Sequence, residues 1–170
     1  MTTIDVHASC VVLDRAALAF GAPPDAGILL LGESGAGKSV TALHLIGRGA
    51  RLVADDRTEL SLHDGQLRAR APAALAGLME ARGVGVVAVP FVAEARVALA
   101  VALVPKERVP RLPEARYYNP PTALGGARPT PPLIALSADD GAIVDKIILA
   151  AAAFARALFR DERNPPEGLP

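Results

Sequence analysis

One segment constrains the fold of this chain more than any other: Gly32-Glu-Ser-Gly-Ala-Gly-Lys-Ser39, which fits the pattern G-x-x-x-x-G-K-[ST]. The continuous apolar run Gly27–Leu31 before it predicts a strand buried on both faces. The segment Lys38–Arg48 after it has apolar residues at helical spacing and is closed by glycines. A Gly-rich loop between a buried strand and a helix can wrap backbone N–H groups around a phosphate, and the helix dipole assists. We therefore predict a P-loop in an α/β domain.

All eight residues of the loop are candidates for nucleotide binding: Gly32, Glu33, Ser34, Gly35, Ala36, Gly37, Lys38 and Ser39. In a P-loop the lysine reaches the β- and γ-phosphates and the final hydroxyl ligates Mg²⁺, so we assign these roles to Lys38 and Ser39. We expect Lys38 to be exposed until a phosphate binds. The alternative interpretation is a Gly-rich turn that holds no ligand.

Length and charge exclude several other classes of protein. The chain has 170 residues, which favours one domain; we expect residues 1–163 to form it and residues 164–170 to be a disordered tail. Its 18 basic and 18 acidic residues leave no net charge, which argues against nucleic acid or an anionic membrane as a partner. No apolar run approaches the roughly 20 residues of a membrane span and no signal peptide is visible, so we expect a cytoplasmic protein. The single cysteine, Cys10, excludes an internal disulfide framework and is predicted to lie in the core.

Short apolar runs between turn signals predict further strands, two of them joined as a hairpin by Asp64-Gly65. These strands are Val6–Leu13, Arg51–Ala54, Thr58–Leu62, Gln66–Ala71, Val84–Val89, Arg96–Val104 and Pro132–Leu136, and Ala16–Phe20 is expected to pair with the first of them. Ser137-Ala-Asp-Asp140 is typical of a helix start, and an apolar stripe at helical spacing runs from Ile143 to Leu158. The Pro-rich segment Pro105–Pro132 is predicted to be irregular.

Two adjacent carboxylates, Asp55 and Asp56, follow the predicted strand Arg51–Ala54 directly after the P-loop helix. A carboxylate at such a strand end can bind Mg²⁺ or accept a proton from an attacking hydroxyl. Because neighbouring side chains of an extended segment face opposite ways, we expect the two carboxylates to have different roles. A solvated turn is the alternative.

Five further side chains are candidates for the same site. Glu80 and Arg82 would project to one face of an extended chain, where one could hold metal and the other an anionic substrate or transition state; a surface ion pair is the alternative. His7, near the first strand, is either a structural residue or part of a site. Arg108 and Arg111 lie in the Pro-rich segment, and arginines near a P-loop can contact a phosphoryl group in transfer.

The order of these motifs resembles the catalytic domain of the bacterial HPr kinase/phosphorylase family, in the short form of some proteobacteria. The resemblance is carried by His7, the P-loop, Arg48-Gly-Ala-Arg-Leu-Val-Ala-Asp-Asp56 and Glu80-Ala-Arg-Gly-Val-Gly85. It implies an α/β fold: a single P-loop domain with a mixed, strand-rich sheet, similar to that of phosphoenolpyruvate carboxykinase.

The resemblance also implies a function: an ATP- and Mg²⁺-dependent protein serine kinase that phosphorylates the phosphocarrier HPr, with phosphorolysis as the reverse reaction. It implies a homo-oligomer. Asp56 would be the proton acceptor, Ser39 and Glu80 would ligate Mg²⁺, and Asp55 is a further candidate ligand. The other candidate catalytic residues are Lys38, His7, Arg82 and Arg111, with Arg108 as a looser match for the last.

Two departures from the family pattern keep other functions open. Val40 stands where an acidic residue usually follows the P-loop serine, and the Arg- and Gly-rich segment used for dephosphorylation is not recognisable in Pro129–Leu136. Kinase activity is therefore better supported than phosphorylase activity. The alternatives are a kinase of this family with another protein or small-molecule acceptor, and an ATP-sensing module without turnover.

Overall fold

The computed structural model of the protein describes residues 2–125 and 130–159. Within these ranges the chain forms nine strands and two α-helices, joined by loops and short 3₁₀ turns. The strands are β1 (Thr3–Val12), β2 (Gly27–Leu31), β3 (Arg51–Ala54), β4 (Arg57–His63), β5 (Gln66–Arg70), β6 (Leu78–Ala81), β7 (Gly85–Ala88), β8 (Glu94–Leu103) and β9 (Leu133–Leu136), and the helices are α1 (Lys38–Gly47) and α2 (Ile143–Arg156). The expected domain end at residue 163 and the expected tail at residues 164–170 lie outside the described residues.

Two long strands, β1 and β8, organise the sheet because each pairs with three others. β1 is antiparallel to β2, β3 and β4, whereas β8 is parallel to β2 and β9 and antiparallel to β5. Together with the β4–β5 hairpin, the pairings β1–β4–β5–β8–β2–β1 form a closed circuit. β6 and β7 pair with each other in a separate two-stranded sheet. The predicted α/β architecture with a mixed, strand-rich sheet is confirmed.

Two apolar clusters lie on either side of the central strands. One is shared with the helices and includes Leu30, Leu45 and Ile147. The other lies within the strand circuit and includes Leu29 and Leu60. Because the neighbours Leu29 and Leu30 belong to different clusters, β2 is buried on both faces, as its continuous apolar run predicts. This double burial holds the start of the P-loop rigidly in place.

The elements predicted around the P-loop are confirmed, whereas one strand predicted elsewhere is wrong. The strands Gly27–Leu31 and Arg51–Ala54 begin and end as predicted. Ala16–Phe20 does not pair with β1, because Asp14–Ala19 forms a 3₁₀ helix. Ala16 and Ala17 pack into the cluster shared with the helices. A short alanine-rich run carries no period that separates a strand from a helical turn, and alanine favours helical backbone.

The second helix begins later than its start signal predicts. Ser137 Oγ accepts the N–H of Asp139 at 3.3 Å, and Asp140 Oδ1 accepts the N–H of Ala142 at 2.9 Å. These side chains therefore accept backbone N–H groups within a turn that precedes the helix, and α2 starts at Ile143. Between β8 and β9 the described residues contain two 3₁₀ turns and otherwise irregular chain, as predicted. Of the described helices, none is both long and apolar enough to cross a membrane.

Cys10 lies fully buried in β1, as predicted, and burial raises the pKa of its thiol to about 12. Because alkylating reagents react with the thiolate, we expect iodoacetamide at about pH 8 to leave the folded chain unlabelled and to label the chain unfolded in guanidinium completely. The unfolded thiol ionises from a pKa of 9.0, so this group's contribution to stability should be lost as the pH rises above that value. Mass spectrometry counts the label; rapid labelling of the native chain would contradict the buried position.

An open cavity of about 640 Å³ lies where β2 begins, at the opposite end of the sheet from the P-loop. Its arginines lie near carboxylates in the pairs Arg51 with Asp14, Arg68 with Glu94 and Arg96 with Asp25. The charges of its lining are thus already balanced, and none of the predicted site residues reaches it. The candidate site therefore lies at the other end of β2.

Candidate active site

The predicted phosphate-binding loop, Gly32–Ser39, joins the end of β2 to the start of α1. Its last turn depends on Gly37, whose φ of 93° lies in the left-handed region. A Cβ at Gly37 would lie 2.5 Å from the Cβ of Ala138, so no larger residue fits. No side chain caps the N-terminus of α1, and its first N–H groups are therefore open to an anion.

Lys38 is folded back onto its own loop. Its Nζ donates to the carbonyl oxygens of Gly32 and Glu33, both at 3.0 Å, and lies 3.0 Å from Nε2 of His7. The residue is only 5% exposed, so the expectation of an exposed lysine is wrong. Three hydrogen-bond partners replace water around the ammonium, and this makes its burial tolerable.

One carboxylate oxygen of Asp55 accepts two hydroxyl groups. Ser39 Oγ and Ser9 Oγ each donate to Asp55 Oδ1 at 2.7 Å. The P-loop serine and the first carboxylate after β3 are thus directly joined, which is the arrangement of a P-loop site that holds Mg²⁺. Ser9 was not predicted from the sequence. A signal for it exists, because Ser9 shares the inward face of β1 with Val11, and a buried polar side chain on such a face needs a partner.

Asp56 and Lys38 are linked through the imidazole of His7. His7 Nδ1 lies 3.1 Å from the carbonyl oxygen and 3.2 Å from Oδ1 of Asp56, while Nε2 faces the ammonium of Lys38. An ammonium only donates, so Nε2 must accept, and these partners assign the proton to Nδ1. The neutral imidazole therefore holds a carboxylate on one nitrogen and a cation on the other. His7 lies in β1 and forms part of the site, as one of its two interpretations predicted.

The two aspartates face different partners, as expected. The cause is a left-handed turn at Asp56, whereas the prediction assumed an extended backbone. Asp56 has a φ of 60°, in the left-handed region, where Asp is more tolerated than most residues. This turn between β3 and β4 sends Asp55 to the two serines and Asp56 to His7. Asp56 is also the more open of the two, with a side chain that is 71% exposed.

Glu80 and Arg82 lie on the separate hairpin of β6 and β7. Glu80 is in β6, whereas Arg82 lies in the turn beyond Ala81, so the two do not share one strand face. Both are exposed, and no ion pair joins them within the described residues. Met79, fully buried against the cluster shared with α1, anchors the hairpin beside the P-loop helix.

The arginines of the irregular segment are exposed and lie beyond the end of β8. Arg108 closes the 3₁₀ turn Lys106–Arg108, and Arg111 follows it. β8 ends beside the P-loop, because a Cβ on Gly32 would lie 3.0 Å from the carbonyl oxygen of Leu103. The segment that carries both arginines therefore leaves the sheet at the P-loop end, and within the described residues no hydrogen bond or ion pair joins either arginine to the site.

The donors beside the loop fit a magnesium ion that keeps part of its water. Ser39 and Asp55 supply a hydroxyl and a carboxylate oxygen, and Mg²⁺ commonly binds through one or two carboxylates together with phosphates of its substrate. Within residues 2–125 and 130–159, no three His, Cys, Asp or Glu side chains come together as a metal cluster. No hydrogen bond links Glu80 to Ser39 or Asp55, so its role as a metal ligand stays a prediction.

The fold and the loop define a P-loop α/β domain whose sheet is mixed rather than parallel, since β1 runs antiparallel to both β2 and β3. A sequence model described as HPr Serine kinase C-terminal domain matches residues 24–103. A solved structure, the Hpr(Ser) kinase/phosphatase from Coxiella burnetii, superposes with a TM-score of 0.72 and 26% identity and covers 92% of this chain and 99% of that chain.

Curated relatives carry the same family description. An HPr kinase/phosphorylase from Clostridium novyi (strain NT) is 52% identical over 64 residues, covering 38% of this chain and 21% of the relative. Another, from Clostridium beijerinckii, is 54% identical over 61 residues, covering 36% of this chain and 20% of the relative. The predicted resemblance to HPr kinase/phosphorylase is confirmed, and with it the fold class similar to phosphoenolpyruvate carboxykinase. The chain spans about one fifth of the length of these curated relatives, so their activity is a proposal for this chain.

Proposed function

We propose that this chain is an ATP- and Mg²⁺-dependent protein serine kinase that phosphorylates the phosphocarrier HPr in the cytoplasm. The observation that carries the proposal is the contact series Lys38–His7–Asp56. Phosphoryl transfer needs a cation at the transferred group and a base at the attacking hydroxyl, both within reach of one phosphorus atom. The relatives and the structural neighbour named as HPr kinases support HPr as the acceptor.

Each residue of the site has a role in the proposed reaction. The loop amides and Lys38 bind the phosphates, and Ser39 and Asp55 would hold Mg²⁺, which would neutralise phosphate charge when bound. Asp56 accepts the proton of the serine hydroxyl while the serine oxygen bonds to the γ-phosphorus and the bond to the ADP oxygen breaks. Neutral His7 keeps Asp56 and Lys38 at their positions. In phosphorolysis, the reverse direction, protonated Asp56 returns its proton to the serine oxygen as phosphate takes the phosphoryl group.

Incubation with γ-labelled ATP, Mg²⁺ and purified HPr tests this proposal. We expect label on one serine of HPr, located by mass spectrometry, and none on an HPr variant with alanine at that serine. Addition of inorganic phosphate to phosphorylated HPr, without nucleotide, tests for phosphorolysis through the release of pyrophosphate. Nucleotide binding without transfer to HPr would contradict the kinase proposal.

One observation favours a second candidate, a related kinase with another acceptor. Val40 follows Ser39 on the first turn of α1 and is 53% exposed, so the site lacks the acidic side chain usual at this position. An apolar residue there changes the charge that an incoming acceptor meets. A screen of cell extract with γ-labelled ATP, with and without added HPr, distinguishes this candidate from an ATP-sensing module that labels nothing.

Replacement of Glu80 by glutamine tests whether the β6–β7 hairpin serves the metal. If Glu80 ligates Mg²⁺, the Mg²⁺ concentration for half-maximal transfer should rise about tenfold, because the amide loses the charge that favours a hard cation. Nucleotide binding without metal should stay unchanged. Titration of the transfer rate with Mg²⁺ measures the effect, and an unaltered curve would return Glu80 to the role of a solvated surface residue.

We also propose that the chain forms a homo-oligomer. Leu18, on the 3₁₀ helix Asp14–Ala19, is 83% exposed, and Leu149 is exposed on α2, which packs beside that helix. Exposed apolar side chains on neighbouring elements are typical of a protein–protein contact. Light scattering of the purified chain should give a mass of two or more copies; a monomer at assay concentrations would contradict this proposal.

A further inference from the structure

Ser9 is a polar residue on an apolar face of the central strand. It has no exposed surface, and both Val11, on the same face of β1, and Leu13, just beyond the strand, pack into the cluster shared with the helices. A buried hydroxyl costs stability unless it is hydrogen-bonded. Ser9 finds its partners outside its own strand, at the two aspartates that follow β3.

The hydroxyl acts on one aspartate as donor and on the other as acceptor. Ser9 Oγ donates to Oδ1 of Asp55 at 2.7 Å, the same oxygen that accepts the hydroxyl of Ser39. Ser9 Oγ also accepts the backbone N–H of Asp56 at 3.4 Å. The first bond fixes the carboxylate beside the P-loop serine. The second holds the backbone of Asp56 in its left-handed turn, which directs that side chain to His7.

We propose that Ser9 is a positioning residue, which holds the metal-binding carboxylate of Asp55 and the base Asp56 in place relative to the P-loop. The proposal rests on the proposed kinase function for the role of Asp56. Ser9 acts only through the two aspartates. Loss of its hydroxyl leaves Asp55 with one donor and the N–H of Asp56 without its acceptor. Metal affinity and kcat should therefore both fall.

Comparison of Ser9→Ala with Ser9→Thr tests this role. In Ser9→Ala we expect about a tenfold rise in the Mg²⁺ concentration for half-maximal nucleotide binding and about a tenfold fall in kcat, the usual cost of removing an outer hydrogen bond at a metal site. Nucleotide affinity without metal should not change. Ser9→Thr keeps the hydroxyl and should restore both quantities to near the wild-type values.

Thr58→Val is a matched control. Thr58 is also fully buried, and its Oγ1 donates to the carbonyl oxygen of Ala8 at 2.7 Å. The variant therefore removes a buried hydroxyl that is bonded to β1 beside Ser9 but that makes no hydrogen bond to either aspartate among the described residues. Wild-type metal titration and kcat in Ser9→Ala would overturn the proposal. Equal losses in Thr58→Val and Ser9→Ala would overturn it too, because they would indicate general loosening of β1.

Binding of a fluorescent ATP analogue separates this proposal from the kinase function. If the wild-type chain phosphorylates no acceptor, the kinase function fails, but the Mg²⁺ dependence of analogue binding still compares Ser9→Ala with Ser9→Thr. A wild-type chain whose nucleotide binding does not respond to Mg²⁺ overturns the positioning role. If Ser9→Ala does not fold, Ser9→Cys, with a weaker donor, is expected to fold and to show the same losses; wild-type behaviour of Ser9→Cys then decides against the proposal.

Discussion

A Lys38→Met chain is expected to transfer phosphate about 10³-fold more slowly than the wild type, or worse, because the transferred phosphoryl group loses its cation in the transition state. Methionine has a similar unbranched stem and fills the buried space of Lys38. The carbonyl oxygens of Gly32 and Glu33 lose a donor, so a modest loss of stability is expected while the fold remains. The measurement is the rate of label transfer from ATP, together with circular dichroism of the variant.

Lys106→Met is the control, since Lys106 is exposed and, among the described residues, no hydrogen bond or ion pair joins it to the loop. It should transfer phosphate at the wild-type rate. If Lys38→Met does likewise, Lys38 does not neutralise the phosphates and the P-loop assignment loses its main support. If Lys38→Met unfolds, the buried hydrogen bonds of the lysine are structural, and nucleotide protection of the wild-type chain against proteolysis becomes the test of the loop.

In Asp56→Asn, transfer is expected to fall by roughly 10²–10⁴-fold, the usual size of a general-base contribution. The amide keeps the size of the carboxylate and one acceptor oxygen, but it cannot take the proton of the serine hydroxyl. Asn tolerates the left-handed backbone of this position as well as Asp does, so strain does not confuse the result. Nucleotide affinity, measured with the same fluorescent analogue, should survive.

The chain offers a closely matched control in Asp64. Asp64 lies in the β4–β5 turn and also has a left-handed φ, of 50°, and its carboxylate lies 3.1 Å from Nδ1 of His63, the last residue of β4. Asp64→Asn should leave transfer unchanged. Loss of transfer in Asp55→Asn with near wild-type rates in Asp56→Asn would assign the base to the other carboxylate. If neither aspartate matters, the pair is structural only and the proposed kinase loses its base.

The elements that carry the P-loop could be predicted from the sequence because their signals are local. The run Gly27–Leu31 is apolar throughout and is bounded by turn residues, and the structure ends the strand at the same positions. The strand predicted at Ala16–Phe20 is wrong for the opposite reason: a run this short has no period that separates a strand from a helical turn, so its local signal is ambiguous. The late start of α2 has a similar cause, since the hydroxyl of Ser137 bonds within its own turn.

The site was predictable in its parts but not in its connections. The motifs identify Ser39 and Asp55 as metal-site candidates, yet their hydrogen bond joins residues on different elements and has no signature in sequence. The burial of Lys38 depends on His7, which reaches it from β1, 31 residues away along the chain. Ser9 was not predicted because a small polar residue in a strand is common on an exposed face. Its burial follows from tertiary packing, since Val11 on the same face lies in the cluster shared with the helices.

Because β1 pairs with three other strands, the segment that matches the family model is not expected to fold by itself. The family match begins at residue 24 and ends at residue 103, so a fragment trimmed to those limits would lose both β1 and α2. It would keep every amide of the predicted phosphate-binding loop, but β2, β3 and β4 would each lose a neighbour. It would also lose the imidazole that contacts Lys38 and Asp56 and the hydroxyl that contacts both aspartates. Substitutions in β1, which lies outside the family match, should therefore change the rate and metal dependence of the site even when the sequence of the P-loop stays the same.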